Sequence, residues 1–206
     1  MDSSSSRPPP RFLLTPASIT EPLPFDTIFP AGAPLEVDVG AGKGRFLLAR
    51  ARANPDVCYV AIERMLGRVR KIDGKLVREG LTNVRIIRLE ACYALQYLFP
   101  RKRLRTVYIH FPDPWPKRRH HKRRLFSPEF LDVLHDRLMP GGTVQVATDH
   151  LDYFAEIRKT LAGDSRFREV PPIPRLPEEQ TDFELIFRGN GQPIGECAFQ
   201  RRACHS

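Results

Sequence analysis

From Leu35 onwards the chain alternates short apolar runs with longer amphipathic segments. The runs L-E-V-D-V, V-C-Y-V-A-I, V-R-I-I-R-L, T-V-Y-I-H-F and T-V-Q-V-A-T are rich in Val and Ile and have the length of strands. Between them, Arg45 to Ala53, Met65 to Glu79, Pro128 to Leu138 and Leu151 to Leu161 repeat apolar residues at helical spacing. Strands alternating with helices predict βαβ units and a mainly parallel sheet covered on both faces, an α/β doubly wound fold. The end of the chain departs from this pattern. F-E-L-I-F-R, G-N-G-Q-P and I-G-E-C-A-F-Q-R read as two strands around a turn at Asn190 and Gly191, an antiparallel hairpin closing the sheet.

Ahead of Leu35 the pattern is absent. Residues 1–34 are Ser/Pro-rich, with Phe12, Leu13, Leu14, Phe25, Ile28 and Phe29 as scattered apolar positions. They are expected to form an extended arm without chemistry, leaving 35–206 as one catalytic-sized domain.

Charge narrows the class of partner. With a formal net charge of +9, the chain favours polyanions, and without a long apolar segment a nucleic acid is preferred over a membrane. The four cysteines lie far apart without metal-ligand spacing, so no metal is expected and reduced, structural thiols are. No secretory signal opens the sequence, which predicts a cytoplasmic protein.

The first run leads into D-V-G-A-G-K-G, a glycine-rich turn before a helix. Its G-x-G-x-G spacing departs from the dinucleotide fingerprint G-x-G-x-x-G, and the acidic Asp38 suits a pyrophosphate poorly. Glu63, after the second run, is placed for ribose hydroxyls, and Glu90, after the third, adds a carboxylate on the same sheet edge. Three acids at successive strand ends suit a ligand with ribose, an ammonium group and another positive charge but no phosphate. S-adenosylmethionine fits; NAD and ATP do not.

The fourth run enters F-P-D-P-W-P-K-R-R-H-H-K-R-R. Prolines on both sides of Asp113 stiffen the loop and fix the aim of its carboxylate. Trp115 offers a flat face for a base, and the run Lys117 to Arg124 offers cations for phosphates. Phosphate contacts position and base contacts specify. On that division Asp113, with Asp149 of A-T-D-H, faces a base, while His120 and His121 lie on the surface or meet phosphates.

Together D-V-G-A-G-K-G, A-I-E, L-T-N-V-R-I-I-R-L-E-A, the F-P-D-P-W-P-K run, P-G-G-T-V-Q-V-A-T-D and T-D-F-E resemble the bacterial tRNA (guanine-N7-)-methyltransferases over about Leu35 to Ala203. The resemblance implies cofactor contacts from Asp38, Glu63, Glu90 and Asp113, with Gly40 and Gly42 under the methionine moiety. It implies a catalytic position for Asp113 and a substrate side formed by Lys117, Asp149, Thr181, Asp182, Phe183 and Glu184. The implied substrate is a guanosine in the variable loop of tRNA, methylated without an obligate protein partner. Departures from the family pattern are Asp38 for its usual Glu, Glu90 for its usual Asp, T-D-F-E for T-K-F-E, and Gly195-Glu196 for Gly-His. Two other functions fit the residues less well: an amino-group methyltransferase on DNA or RNA, using a D-P-P-W-like loop, and a non-catalytic RNA-binding protein.

Overall fold

The computed structural model describes residues 10–203; the Ser-rich start of the arm and Cys204 lie outside them. Strands β1 (Leu35–Val39), β2 (Cys58–Ile62), β3 (Val84–Ile87), β4 (Leu104–His110), β5 (Leu138–Thr148), β6 (Phe167–Val170) and β7 (Gly195–Arg201) form one sheet. Their order is β3-β2-β1-β4-β5-β7-β6. The first five are parallel, while β7 runs antiparallel to both β5 and β6. Helices α2 (Arg45–Ala53), α3 (Leu66–Glu79), α4 (Ala91–Leu98), α5 (Pro128–Arg137) and α6 (Leu151–Ala162) connect the strands and cover both faces. All five residues of β1 and of β2 are buried, as strands sandwiched between helix layers must be. The anticipated doubly wound α/β fold is therefore present, and no described helix is long and apolar enough to cross a membrane.

Two buried acids, Glu36 and Asp38, sit inside β1. The Glu36 carboxylate accepts from Arg105 Nε at 2.8 Å, Thr106 Oγ1 at 3.2 Å and Tyr108 OH at 2.9 Å. A charge in the sheet interior persists only with such partners, and here all three come from β4, so the group also fixes which strand lies beside β1.

The C-terminal hairpin differs from its expected form. F-E-L-I-F-R belongs to helix α7 (Asp182–Gly189), and the antiparallel partner of β7 is β6, a strand absent from the sequence reading. Thr181 caps α7 by accepting from Glu184 N at 3.0 Å, a T-x-x-E start signal that outweighs the strand-like composition. A six-residue apolar run cannot be told from a helix turn by composition alone. In the turn after α7, Gly191 has φ +69° and Asn190 does not enter the left-handed region.

The arm packs. Helix α1 (Phe25–Ile28) buries Phe25 against Phe99 with ring centroids 5.0 Å apart. Phe12 and Leu14 exchange backbone hydrogen bonds with Ile86 at 2.9 and 2.8 Å, extending the sheet beyond β3. Arg85 lies between the Phe12 and Phe29 rings, 5.7 and 5.2 Å from their centroids.

At the start of β7, a Cβ added to Gly195 would fall 2.6 Å from the ring of Phe154 on α6. Gly195→Ala is therefore expected to destabilise the protein by about 1–3 kcal/mol through overpacking, measured as a lower urea midpoint with an unchanged m-value.

Candidate active site

After β1 the chain turns through Gly40, Gly42 and Gly44, with φ of 74°, 58° and 76°, into α2. Gly40 N donates to Ile62 O at 2.8 Å, tying the turn to the end of β2. The glycines serve two purposes. A Cβ at Gly44 would lie 2.8 Å from Leu48 Cδ1 and 3.0 Å from Ile72 Cγ1, so this position lets α2 approach α3. A Cβ at Gly40 would meet nothing within 4 Å, so there the left-handed backbone borders open space that a ligand can enter.

Two carboxylates flank that space. Asp38 is only 4% exposed, and its pKa is pushed up to about 7, first by burial and then by the nearby Glu63 carboxylate. Glu63, just after β2, is buried and held in one orientation: Oε2 accepts from Gly42 N at 3.0 Å and Oε1 from Met65 N at 2.9 Å. Glu90 stands three residues beyond β3, where it caps α4 by accepting from Cys92 N and Tyr93 N at 3.0 and 2.9 Å. The structure thus brings Asp38, Gly40, Gly42 and Glu63 together, and gives Glu90 a capping role on the adjacent strand's exit.

The loop after β4 carries Asp113, exposed, between Phe111 at φ +53° and Trp115 at φ +44°. Bulky residues in the left-handed region are held there only by surrounding contacts. Phe111 N donates to Ala147 O at 2.7 Å. Arg124 supplies the other restraint: its Nε donates to Pro114 O at 2.8 Å, its guanidinium lies 4.6 Å from the Tyr153 ring centroid, and it pairs with Glu156. The cationic run is therefore not all surface. Its last arginine turns inward ahead of the apolar Leu125-Phe126, the signal that marks it out, and staples the loop to α6.

The rest of the run, Arg118–Arg123, is a 3-10 turn with no buried residue, opened by the exposed Lys117. Arg123 lies 4.9 Å from the Trp115 ring centroid, and His120 meets that ring edge-on at 5.8 Å. One face of the tryptophan expected to be free for a base is thus taken by a cation. Asp149 follows β5 and is half-buried. Because His110 of β4 stands opposite Ala147 of β5, Asp113 and Asp149 leave neighbouring strand ends. His110 itself is kept neutral, its pKa depressed to about 3 by burial and by Arg175.

The segment from Arg175 to Gly189 closes the site from the far side of the chain. Glu184, 1% exposed, accepts from Arg175 at 3.2 Å and from Arg188 at 2.9 Å. Arg50 of α2 donates to Glu179 at 3.2 Å, and Arg45 to Gln180 O at 3.0 Å. The helix that follows the glycine turn therefore anchors this segment. Of the four residues read from T-D-F-E, Thr181 and Glu184 hold the helix, Phe183 points outward, and Asp182 occupies the first turn, where an acidic side chain complements the helix dipole.

A family model described as "Putative methyltransferase" matches residues 32–196. A tRNA (guanine-N(7)-)-methyltransferase of Halorhodospira halophila is 37% identical over 185 residues, covering 86% of this chain and 79% of that protein. One of Mycobacterium avium is 37% identical, covering 88% and 71%. The chain belongs to the tRNA (guanine-N(7)-)-methyltransferase family. Solved structures share the class I methyltransferase fold: the 16S rRNA methyltransferase KamB superposes with a TM-score of 0.66 at 17% identity, over 87% of this chain and 93% of that one. The antibiotic-resistance methyltransferase Kmr gives 0.61 at 16%, over 88% and 92%.

Asp38 sits deep enough to resist ionisation. A carboxyl whose folded pKa is raised stabilises the fold below its ordinary value of 3.8, and that contribution is lost as pH rises through about 7. Asp38→Asn is therefore expected to raise the melting temperature relative to the parent at pH 8, with the gap closing towards pH 4. Thermal melts of the two proteins across that range measure it.

Proposed function

We propose that this protein transfers a methyl group from S-adenosylmethionine to N7 of a guanosine in the variable loop of tRNA, in the cytoplasm and without an obligate protein partner. The observation that carries the reading is the Asp113 loop: an exposed carboxylate between prolines, on a loop whose backbone Arg124 holds at Pro114, between the acidic edge of Asp38 and Glu63 and an exposed cationic turn. The residues present suit the cofactor. Open space over Gly40 accepts a methionine moiety, the buried Asp38 gains from a neighbouring cation, and the fixed Glu63 is of the right type for ribose hydroxyls.

When bound, S-adenosylmethionine supplies a methyl group on a sulfonium, an electrophile that needs no activation. The protein's own share is positioning. Guanine N7 carries a lone pair and no proton, so no strong base is required, and His110, neutral and shielded, is not asked to be one. Asp113 orients the purine by accepting from its N–H edge, and alignment of this kind supplies roughly 7–11 kcal/mol in well-oriented systems. As positive charge builds on the purine, Asp113 and Asp149 offset it. Lys117 and the turn after it grip the backbone phosphates, and Glu90 adds its carboxylate on the cofactor side.

The purified protein alone, given methyl-labelled S-adenosylmethionine and unmodified tRNA, is expected to place the label in 7-methylguanosine on nucleoside analysis; label in an amino-methylated base would overturn the reading. Asp113→Ala is expected to lower kcat by about 10²-fold or more. Lys117→Ala should mainly raise KM for tRNA and flatten its salt dependence by about one phosphate contact.

A further inference from the structure

Helix α7 is inverted. Its buried side chain is Glu184, while Phe183, Leu185 and Ile186 face solvent, Phe183 at 46% and Ile186 at 56% exposure. Ordinary amphipathic helices turn their apolar stripe inward. Here the ion pairs of Glu184 with Arg175 and Arg188 set the rotation of the helix, leaving Phe183, Ile186 and Phe187, spaced i, i+3 and i+4, on one outer face. Arg175 and Arg188 also pair with Glu196 of β7, so the orientation is fixed from two elements.

That face is joined to the reacting end. The Phe183 and Phe187 rings stack within 15° of parallel at 6.1 Å, and Phe111 packs against both, 5.6 Å from Phe187 and 6.4 Å from Phe183. Phe111 lies two residues before Asp113 and is held at φ +53°. The strained backbone and the three rings make one continuous aromatic wall leading to the Asp113 carboxylate. The loop that starts at Phe111 ends in the exposed cations Lys117 to Arg123, so an occupant of the wall is next to a surface that attracts phosphates.

We infer that the Phe111–Phe183–Phe187 wall, with Ile186 at its rim, stacks an unpaired base that neighbours the target guanosine in the substrate RNA. This rests on the tRNA reading above and adds a subsite to it. To present N7, a guanosine must leave its stack, which deprives the adjacent base of a partner. Aromatic and aliphatic surface replaces that partner for any base, since each has a π-face. The site is thus chosen for an unstacked loop rather than for a particular neighbouring letter.

The test is a double-mutant cycle between protein and RNA. Binding of a tRNA substrate is compared with binding of the same RNA made abasic immediately 5′ or 3′ of the target guanosine, to the parent, to Phe183→Ala and to Ile186→Ser. One of the two abasic sites is expected to weaken the parent roughly tenfold and to have less than about a third of that effect on Phe183→Ala, because the contact is already lost. Ile186→Ser, a change at an exposed position that leaves the fold intact, should give a smaller coupling of the same sign. Additive losses at both abasic sites would overturn the proposal. So would a parent dimer in sedimentation equilibrium that Ile186→Asp converts to monomer, since a second copy would then cover the face. Scoring 7-methylguanosine in the intact tRNA separates the two failures: product with additive losses removes only the wall, whereas no product removes the reading beneath it.

Discussion

Parallel pairing of β1 on both sides, with β2 on one and β4 on the other, is the constraint from which the site follows. A strand flanked this way has no free edge, so its polar backbone is satisfied laterally and its side chains must be buried above and below. Glu36 tolerates that environment only because β4 offers it three donors. The same arrangement puts the carboxyl ends of β1, β2 and β4 side by side. The glycine turn, Glu63 and the Asp113 loop therefore leave the sheet next to one another, although they come from distant parts of the chain.

Buried charge recurs as a means of fixing orientation. Glu63 is fastened by two backbone amides, Arg124 by a carbonyl and a carboxylate, and Glu184 by two guanidiniums. Burying such groups unpaired would cost several kcal/mol, so each tolerates one arrangement and rejects its neighbours. Apolar packing alone would let α7 roll its phenylalanines inward. The ion pairs hold it rotated with its acid inside.

The five parallel strands are legible because each is a short Val- and Ile-rich run bounded by polar or glycine residues, and the shared edge of Asp38 and Glu63 is legible because those runs stop there. For Glu90 a strand-end ligand and a helix cap fit the sequence equally well, and the start of α4 at Ala91 shows the cap. The strand β6, F-R-E-V, alternates too briefly to stand out. For α7 the local composition favours a strand, and the cap at Thr181 together with Glu184, whose partners lie nine residues before and four after, decides against it. Arg124 stands among identical neighbours, with the apolar Leu125-Phe126 after it as its one local mark. Its inward turn is set by Pro114 and Tyr153, contacts visible only once the loop after β4 lies against α6. Patterns that repeat over several residues are legible in the chain, whereas a single cap, as at Glu90 or Thr181, and a partner on another element, as for Arg124, are not.

The arm has a consequence at the other end of the sheet. By lending the backbone of Phe12 and Leu14 to Ile86 and locking the crossing with Arg85 between two rings, it occupies hydrogen-bonding groups that β3 would otherwise present to any passing chain. An open outer strand is a template for unwanted sheet growth. A Pro-rich segment is a suitable cover, because prolines farther along the arm cannot donate to a further strand. The stretch of sequence with the least chemistry in it therefore acts as a terminator, keeping a sheet built to be continuous from continuing into another molecule.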